Sequence, residues 1–107
     1  MKFSDLNFEP HINYPDSGIA ARYFFPNGYG VSVVRFTSPG GFGGSYGAEQ
    51  GLYELAILKR YVQKGYGADL DWNWEICYDT PITGDVLGHL SEEEVEVLLY
   101  EVENLTI

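Results

Sequence analysis

Residues 19–36 read IAARYFFPNGYGVSVVRF, and this stretch decides the fold. Two runs rich in Val, Ile, Tyr and Phe flank Pro26-Asn27-Gly28, the pattern of two strands joined by a tight turn. Asn-Gly predicts a type I′ turn, because that turn needs two positive-φ positions and its twist matches that of the paired strands. Side chains alternate between the faces of a strand. Ile19, Ala21, Tyr23 and Phe25 therefore share one face of the first arm, and Ala20, Arg22 and Phe24 the other. In the second arm Val31, Val33 and Arg35 alternate with Ser32, Val34 and Phe36. Neither face is uniformly polar, so both are expected to be at least partly covered.

The other elements read outward from this hairpin. Leu90-Ser91-Glu92-Glu93-Glu94 matches a capping box, in which Ser91 caps the amide of Glu94 and Glu94 reaches back to that of Ser91. It predicts a C-terminal helix with Val95, Leu98, Leu99, Val102 and Leu105 as its apolar stripe. Glu92, Glu93, Glu96, Tyr100 and Glu103 fall on the outer face. Trp72–Tyr78 alternates cleanly and predicts a strand with Trp72, Trp74, Ile76 and Tyr78 toward the core. Leu52–Lys59 fits a strand or a helix; its short length and flanking glycine favour the strand. Arg60–Asp71 reads as a loop, and Asp85–Gly88 as a turn or a further sheet segment. Phe3, Leu6 and Phe8 are expected to pack at the sheet edge before Pro10 and Pro15 interrupt regular structure. The chain thus reads as one domain over residues 1–107. Its expected fold is α+β: a mainly antiparallel sheet of four to five strands with one C-terminal helix packed on a face.

Composition narrows the function classes. The 107 residues are 45% hydrophobic, enough for a real core, and carry a net charge of −10. All six basic residues lie in the first 64 positions, whereas 11 of the 16 acidic residues lie after them. Such a charge opposes direct binding to nucleic acid or an anionic membrane and favours a basic partner. No apolar run approaches the ~18 residues of a membrane span. The single Cys77 cannot close an internal disulfide, and no signal peptide is apparent, so a cytoplasmic setting is expected.

Two segments read as partner-binding surfaces. Thr37–Gly51 has glycine at six of 15 positions and reads as a long flexible loop. Within it Gly40, Gly41, Phe42, Gly43, Gly44 and Tyr46 offer a recognition element with two aromatic anchors. The glycine run lacks the Lys-Ser/Thr of a phosphate-binding loop. The second surface is acidic: Asp69, Asp71, Glu92, Glu93, Glu96 and Glu103. It reads either as a solvated face or as an imitation of spaced phosphates able to occupy a basic nucleic-acid channel. No catalytic site is expected. Cys77, His89, His11 and Asp79 are the residues with chemical potential, but nothing in the pattern joins them, and Cys77 reads as a buried structural thiol. No cofactor or metal site is expected either, because the histidines, cysteine and carboxylates have no zinc spacing. Asp69-Leu70-Asp71 lacks the glycine and glutamate of a calcium loop.

The blocks NGYGVSVVR at 27–35, GLYELAIL at 51–58 and CYDTPITGDVLGHL at 77–90, with the acidic helix after them, resemble a group of small bacteriophage proteins of unassigned role. The resemblance covers roughly residues 3–105, with longer loops at 37–50 and 60–71. It implies no catalytic residues. It implies a non-enzymatic accessory protein in an infected bacterium that binds and modulates, by inhibition, a host or defence protein. A nucleic-acid mimic and a structural, self-associating phage protein such as a homodimer are the alternatives.

Overall fold

The computed structural model describes residues 1–38, 44–64 and 70–106, with the backbone alone at 62–64 and 70–72. Among these residues six strands form one antiparallel sheet: β1 (Glu9–Pro10), β2 (Gly18–Phe24), β3 (Tyr29–Phe36), β4 (Tyr53–Lys64), β5 (Leu70–Ile76) and β6 (Leu87–Leu90). The spatial order is β1-β2-β3-β4-β5, and β6 pairs with the first half of β4, on the side where β5 takes the second half. Helix α1 (Glu92–Glu103) follows directly. The expected α+β architecture is thus present, with the short strands β1 and β6 raising the strand number.

Register explains the core. Ala21 pairs with Val33 and Tyr23 with Val31, and these in turn face Leu55 and Ile57 of β4. Val31, Val33, Leu55, Ile57, Val95, Leu99 and Val102 are all essentially inaccessible to solvent and form one cluster. The alternation read from residues 19–36 therefore defines the front face, which α1 covers. Each such aliphatic side chain contributes about 1.5–3 kcal/mol on burial. Phe3 and Phe8 pack on Tyr53 with ring centroids 5.1 and 5.6 Å away, closing the helix-side layer.

The turn differs from the expected form. Asn27 does not adopt positive φ; Gly28 does, at 90°. Phe25 C=O accepts from Gly28 N–H at 3.2 Å, and Phe25 N–H donates to Tyr29 C=O at 2.7 Å. The loop is thus the three residues Pro26, Asn27 and Gly28, with only the last left-handed. The reason lies in Asn27. Its Oδ1 accepts from Tyr29 N–H at 3.0 Å, and its Nδ2 lies 2.9, 3.1 and 3.0 Å from the carbonyl oxygens of Val102, Glu103 and Leu105. The carboxamide ties the hairpin to the end of α1.

The expected loop 60–71 is also corrected. β4 runs on through Lys64 and β5 starts at Leu70, so much of that segment extends the sheet. The helix start is as expected: Ser91 Oγ accepts from Glu94 N–H at 3.2 Å, and Glu94 Oε1 accepts from Ser91 N–H at 3.1 Å. No helix among the described residues is long and apolar enough to cross a membrane.

Asn27→Asp replaces the amide donor by a carboxylate facing three carbonyls while keeping the acceptor for Tyr29. It is expected to cost about 1–3 kcal/mol of unfolding free energy in urea titrations followed by circular dichroism, since it removes the donor from part-buried carbonyls and sets a carboxylate against them. A loss no larger than that of an exposed-site variant would show that the turn–helix joint is not needed.

Candidate functional site

The glycine segment supplies the first candidate surface. Gly40, Gly41, Phe42 and Gly43 lie outside the described residues. Its second half is not the flexible loop expected from glycine content. Gly44 bridges to Thr37, and Ser45 is buried, its Oγ accepting from Phe36 N–H at 2.9 Å. Tyr46 N–H donates to Glu54 Oε2 at 3.0 Å, and its C=O accepts from His89 N–H at 3.1 Å. A 3-10 turn, Ala48–Gln50, then leads into β4. Glycine is needed here because the backbone runs tight against β6: a Cβ on Gly88 would sit 2.5 Å from that of Tyr46. The Tyr46 ring remains 64% exposed, 6.2 Å from that of His89. Tyr46 is therefore an aromatic displayed from a fixed backbone.

His89 occupies a bulge in β6, where Gly88 and His89 oppose Glu54 between the pairs Tyr53–Leu90 and Leu55–Leu87. Its φ of 55° is left-handed, a region His enters more readily than most residues. Cys77 sits further along the same edge of β4, its N–H donating to Ile57 C=O at 2.7 Å. Three strand steps, from Glu54 to Ile57 of β4, separate the two, a spacing of about 10 Å at strand rise. Cys77 and His89 are thus not brought together. Cys77 belongs to the core cluster, and its Sγ–H donates to Asp79 Oδ1 at 2.9 Å. Burial pushes the thiol above its ordinary value of 9.0, and the hydrogen bond to the Asp79 carboxylate pushes it further. The same hydrogen bond, with Lys59 nearby, holds Asp79 below the usual carboxylate range. Among the described residues no group of three or more His, Cys, Asp and Glu side chains is arranged to hold a metal.

The acidic surface divides. Asp69 lies outside the described residues, and Asp71 is placed on β5 by its backbone only. Glu92 and Glu93 are exposed in the first turn of α1, where they complement the positive end of the helix. Glu96 and Glu103 are already engaged: Glu96 Oε1 accepts from Phe3 N–H at 2.8 Å, and Glu103 lies 3.8 Å from the amine of Met1. Between the glutamates stand Val97 and Tyr100, 59% and 65% exposed. Four-and-three spacing puts Glu93, Val97 and Tyr100 on one stripe, with Glu96 and Glu101 beside it. Tyr100 was legible on the outer face; Val97 was not, because helical spacing alone does not say which apolar residues a narrow contact leaves outside.

The aromatic alternation in β5 misled at Trp74, Ile76 and Tyr78; the side chain of Trp72 lies outside the described residues. Arg60 pairs with Trp74 and Leu58 with Ile76, which puts both aromatic and aliphatic side chains on the back of the sheet, away from α1. Trp74 and Ile76 are 37% and 40% exposed rather than core, and Tyr78 lies beyond the strand on the surface. Comparison with protein-family models, curated proteins and solved structures finds no match to this chain.

The Cys77 geometry has a pH consequence. Because folding raises the thiol pKa, its stabilising effect is complete below the ordinary thiol value and is lost as pH rises through the folded one. At pH 8 iodoacetamide should modify folded Cys77 at least several-fold more slowly than the urea-unfolded chain, and Asp79→Asn should narrow the gap, as read by mass spectrometry. Equal rates in folded and unfolded protein would show an exposed, unperturbed thiol.

Proposed function

We propose that this chain is a non-enzymatic phage accessory protein that binds a bacterial host or defence protein and inhibits it. The observation that carries the reading is the outer face of α1, where exposed Tyr100 and Val97 stand among Glu93, Glu96 and Glu101. Aromatic anchors inside a charged rim are the anatomy of a protein interface: the anchor supplies most of the affinity, the rim sets orientation and on-rate. The complementary partner has an apolar pocket bordered by Lys or Arg. The resemblance to small phage proteins supplies the cellular context. Tyr46, held on its fixed backbone, is a second anchor at the β6 edge.

A mimic of nucleic acid would instead rely on evenly displayed carboxylates. Two of the candidate glutamates are turned toward the N-terminal segment, Glu96 to the Phe3 N–H and Glu103 to the Met1 amine, which leaves fewer evenly displayed carboxylates and favours the packed-anchor reading.

The experiment is capture of proteins from bacterial lysate by the tagged chain, followed by affinity measurement on the partner identified. Tyr100→Ala is expected to weaken binding by at least about 30-fold, as for an interface anchor. Glu92→Lys with Glu93→Lys is expected to cost less and to act mainly on the association rate. Binding indifferent to Tyr100→Ala but abolished by the charge reversals and by competing DNA would replace the anchor reading with mimicry. No specific capture would remove both.

A further inference from the structure

The strand path β1-β2-β3-β4-β5 ends in two unlike edges. β1 is two residues long, and its second residue is Pro10, which has no N–H to offer. Short length and proline are the usual devices that keep an edge from taking another strand. β5 runs over seven residues, Leu70–Ile76, and carries no Pro, no Lys and no break in its register. Among the described residues nothing pairs with its outer side.

Register tells which groups this edge offers. Cys77 N–H donates to Ile57 C=O at 2.7 Å, which continues the β4–β5 ladder by one pair. Along an antiparallel ladder the direction of the backbone groups alternates from residue to residue. Asn73 and Glu75 therefore turn their N–H and C=O toward β4, and Trp74 and Ile76 turn theirs outward. Those outward groups meet no partner among the described residues.

The two faces beside the edge differ in chemistry. On the back Trp74 and Ile76 are 37% and 40% exposed. Trp74 is held in place there: the Arg22 guanidinium stacks 4.3 Å from its ring centre, and its centroid lies 6.3 Å from that of Phe24, itself 5.0 Å from the Arg60 guanidinium. On the front stands Glu75, exposed and without an ion pair among the described residues. Next to it a groove of 470 Å³ is lined by Lys59, Glu75, Ile76, Cys77, Tyr78 and Asp79. Two carboxylates there face one cation, Lys59, whose ammonium lies 5.9 Å from the centre of the Tyr29 ring.

We propose that the outer edge of β5 receives an extended basic segment of a partner protein as an added antiparallel strand. Its residues opposite Trp74 and Ile76 pair with them through the main chain and set apolar side chains on the back. The residues between set Lys or Arg on the front, opposite Glu75. Charge selects this occupant. A chain at −10 attracts a basic strand and repels a nucleic acid. A second copy brings the same net charge, and its pairing centred on Asn73 sets Asp71 opposite Glu75. The proposal rests on the β5 edge alone and is independent of the interface assigned to Tyr100.

The test titrates the full chain, labelled with nitrogen-15, with the capped peptide Thr-Lys-Val-Lys-Val-Lys-Thr. Saturable shifts are expected at the amides of residues 73–79 and at the Trp74 indole. At saturation, hydrogen exchange at the Trp74 and Ile76 amides should slow at least about tenfold. Methylating the two valine nitrogens of the peptide removes the N–H groups that face β5 and is expected to weaken binding at least about tenfold, whereas methylating two lysine nitrogens, which face away, should cost far less. Glu75→Gln is expected to weaken binding about threefold, as for loss of a cross-strand charge pair. Since Glu75 is exposed, an otherwise unchanged spectrum will verify the fold of that variant. The proposal is overturned by no saturable shifts at millimolar peptide, by shifts centred on α1, by equal binding of the valine-methylated peptide, or by affinity unchanged in Glu75→Gln. It is equally overturned if a peptide with Glu for Lys or a short oligothymidylate binds as well, or if the shifts arise from protein concentration alone through self-association.

Discussion

One carboxamide joins the two halves of this protein. The last carbonyls of α1 have no intrahelical partner, and such carbonyls are commonly served by a left-handed glycine cap or by a basic residue in the last turn. This chain has no Lys or Arg after position 64, and the last turn of α1 holds none. Asn27 supplies the donors from the hairpin turn, and Asn104 Nδ2 adds one to the Tyr100 carbonyl at 2.7 Å. Because Asn27 also fixes the turn through Tyr29, the position of the helix end and the geometry of the hairpin are set by the same group. On the front face Val95, Leu99 and Val102 of the helix so held bury against β3 and β4.

Charge is sorted by this arrangement. The glutamates of the first turn of α1 sit at the favourable end of the helix, and Glu103 at the unfavourable end is offset by the Met1 amine. The front layer therefore presents an acidic outer surface with Tyr100 and Val97 in its midst. The sheet behind it holds arginines against aromatics.

The hairpin, the capping box, the apolar stripe and the strand at Leu52–Lys59 all rest on local rules: turn chemistry, side-chain spacing and residue size. Those rules fail where the deciding contact lies far away along the chain. Asn-Gly points to a type I′ turn only if the Asn side chain is idle, and here it is engaged some 75 residues away. Glycine content points to a flexible loop, yet Gly44 and Gly47 serve close backbone approach to β3 and β6.

The sequence by itself determined the hairpin, the strand at Leu52–Lys59, the C-terminal helix and which hairpin residues share a face, because alternation and capping depend on neighbours within a few residues. It also determined the separation of charge, which is a matter of composition. Only the tertiary structure decided that Trp74 and Ile76 face away from the helix. A strand with apolar residues on one face does not reveal which side of the sheet the helix will cover; that was decided by β4, whose Leu55 and Ile57 align with Val33 and Val31 and whose Leu58 and Arg60 align with Ile76 and Trp74. Arg22 and Phe24 meet Arg60 and Trp74 across the back of the sheet for the same reason: its centre is made of Gly30, Ser32 and Ala56, which leaves room for long side chains to lean across.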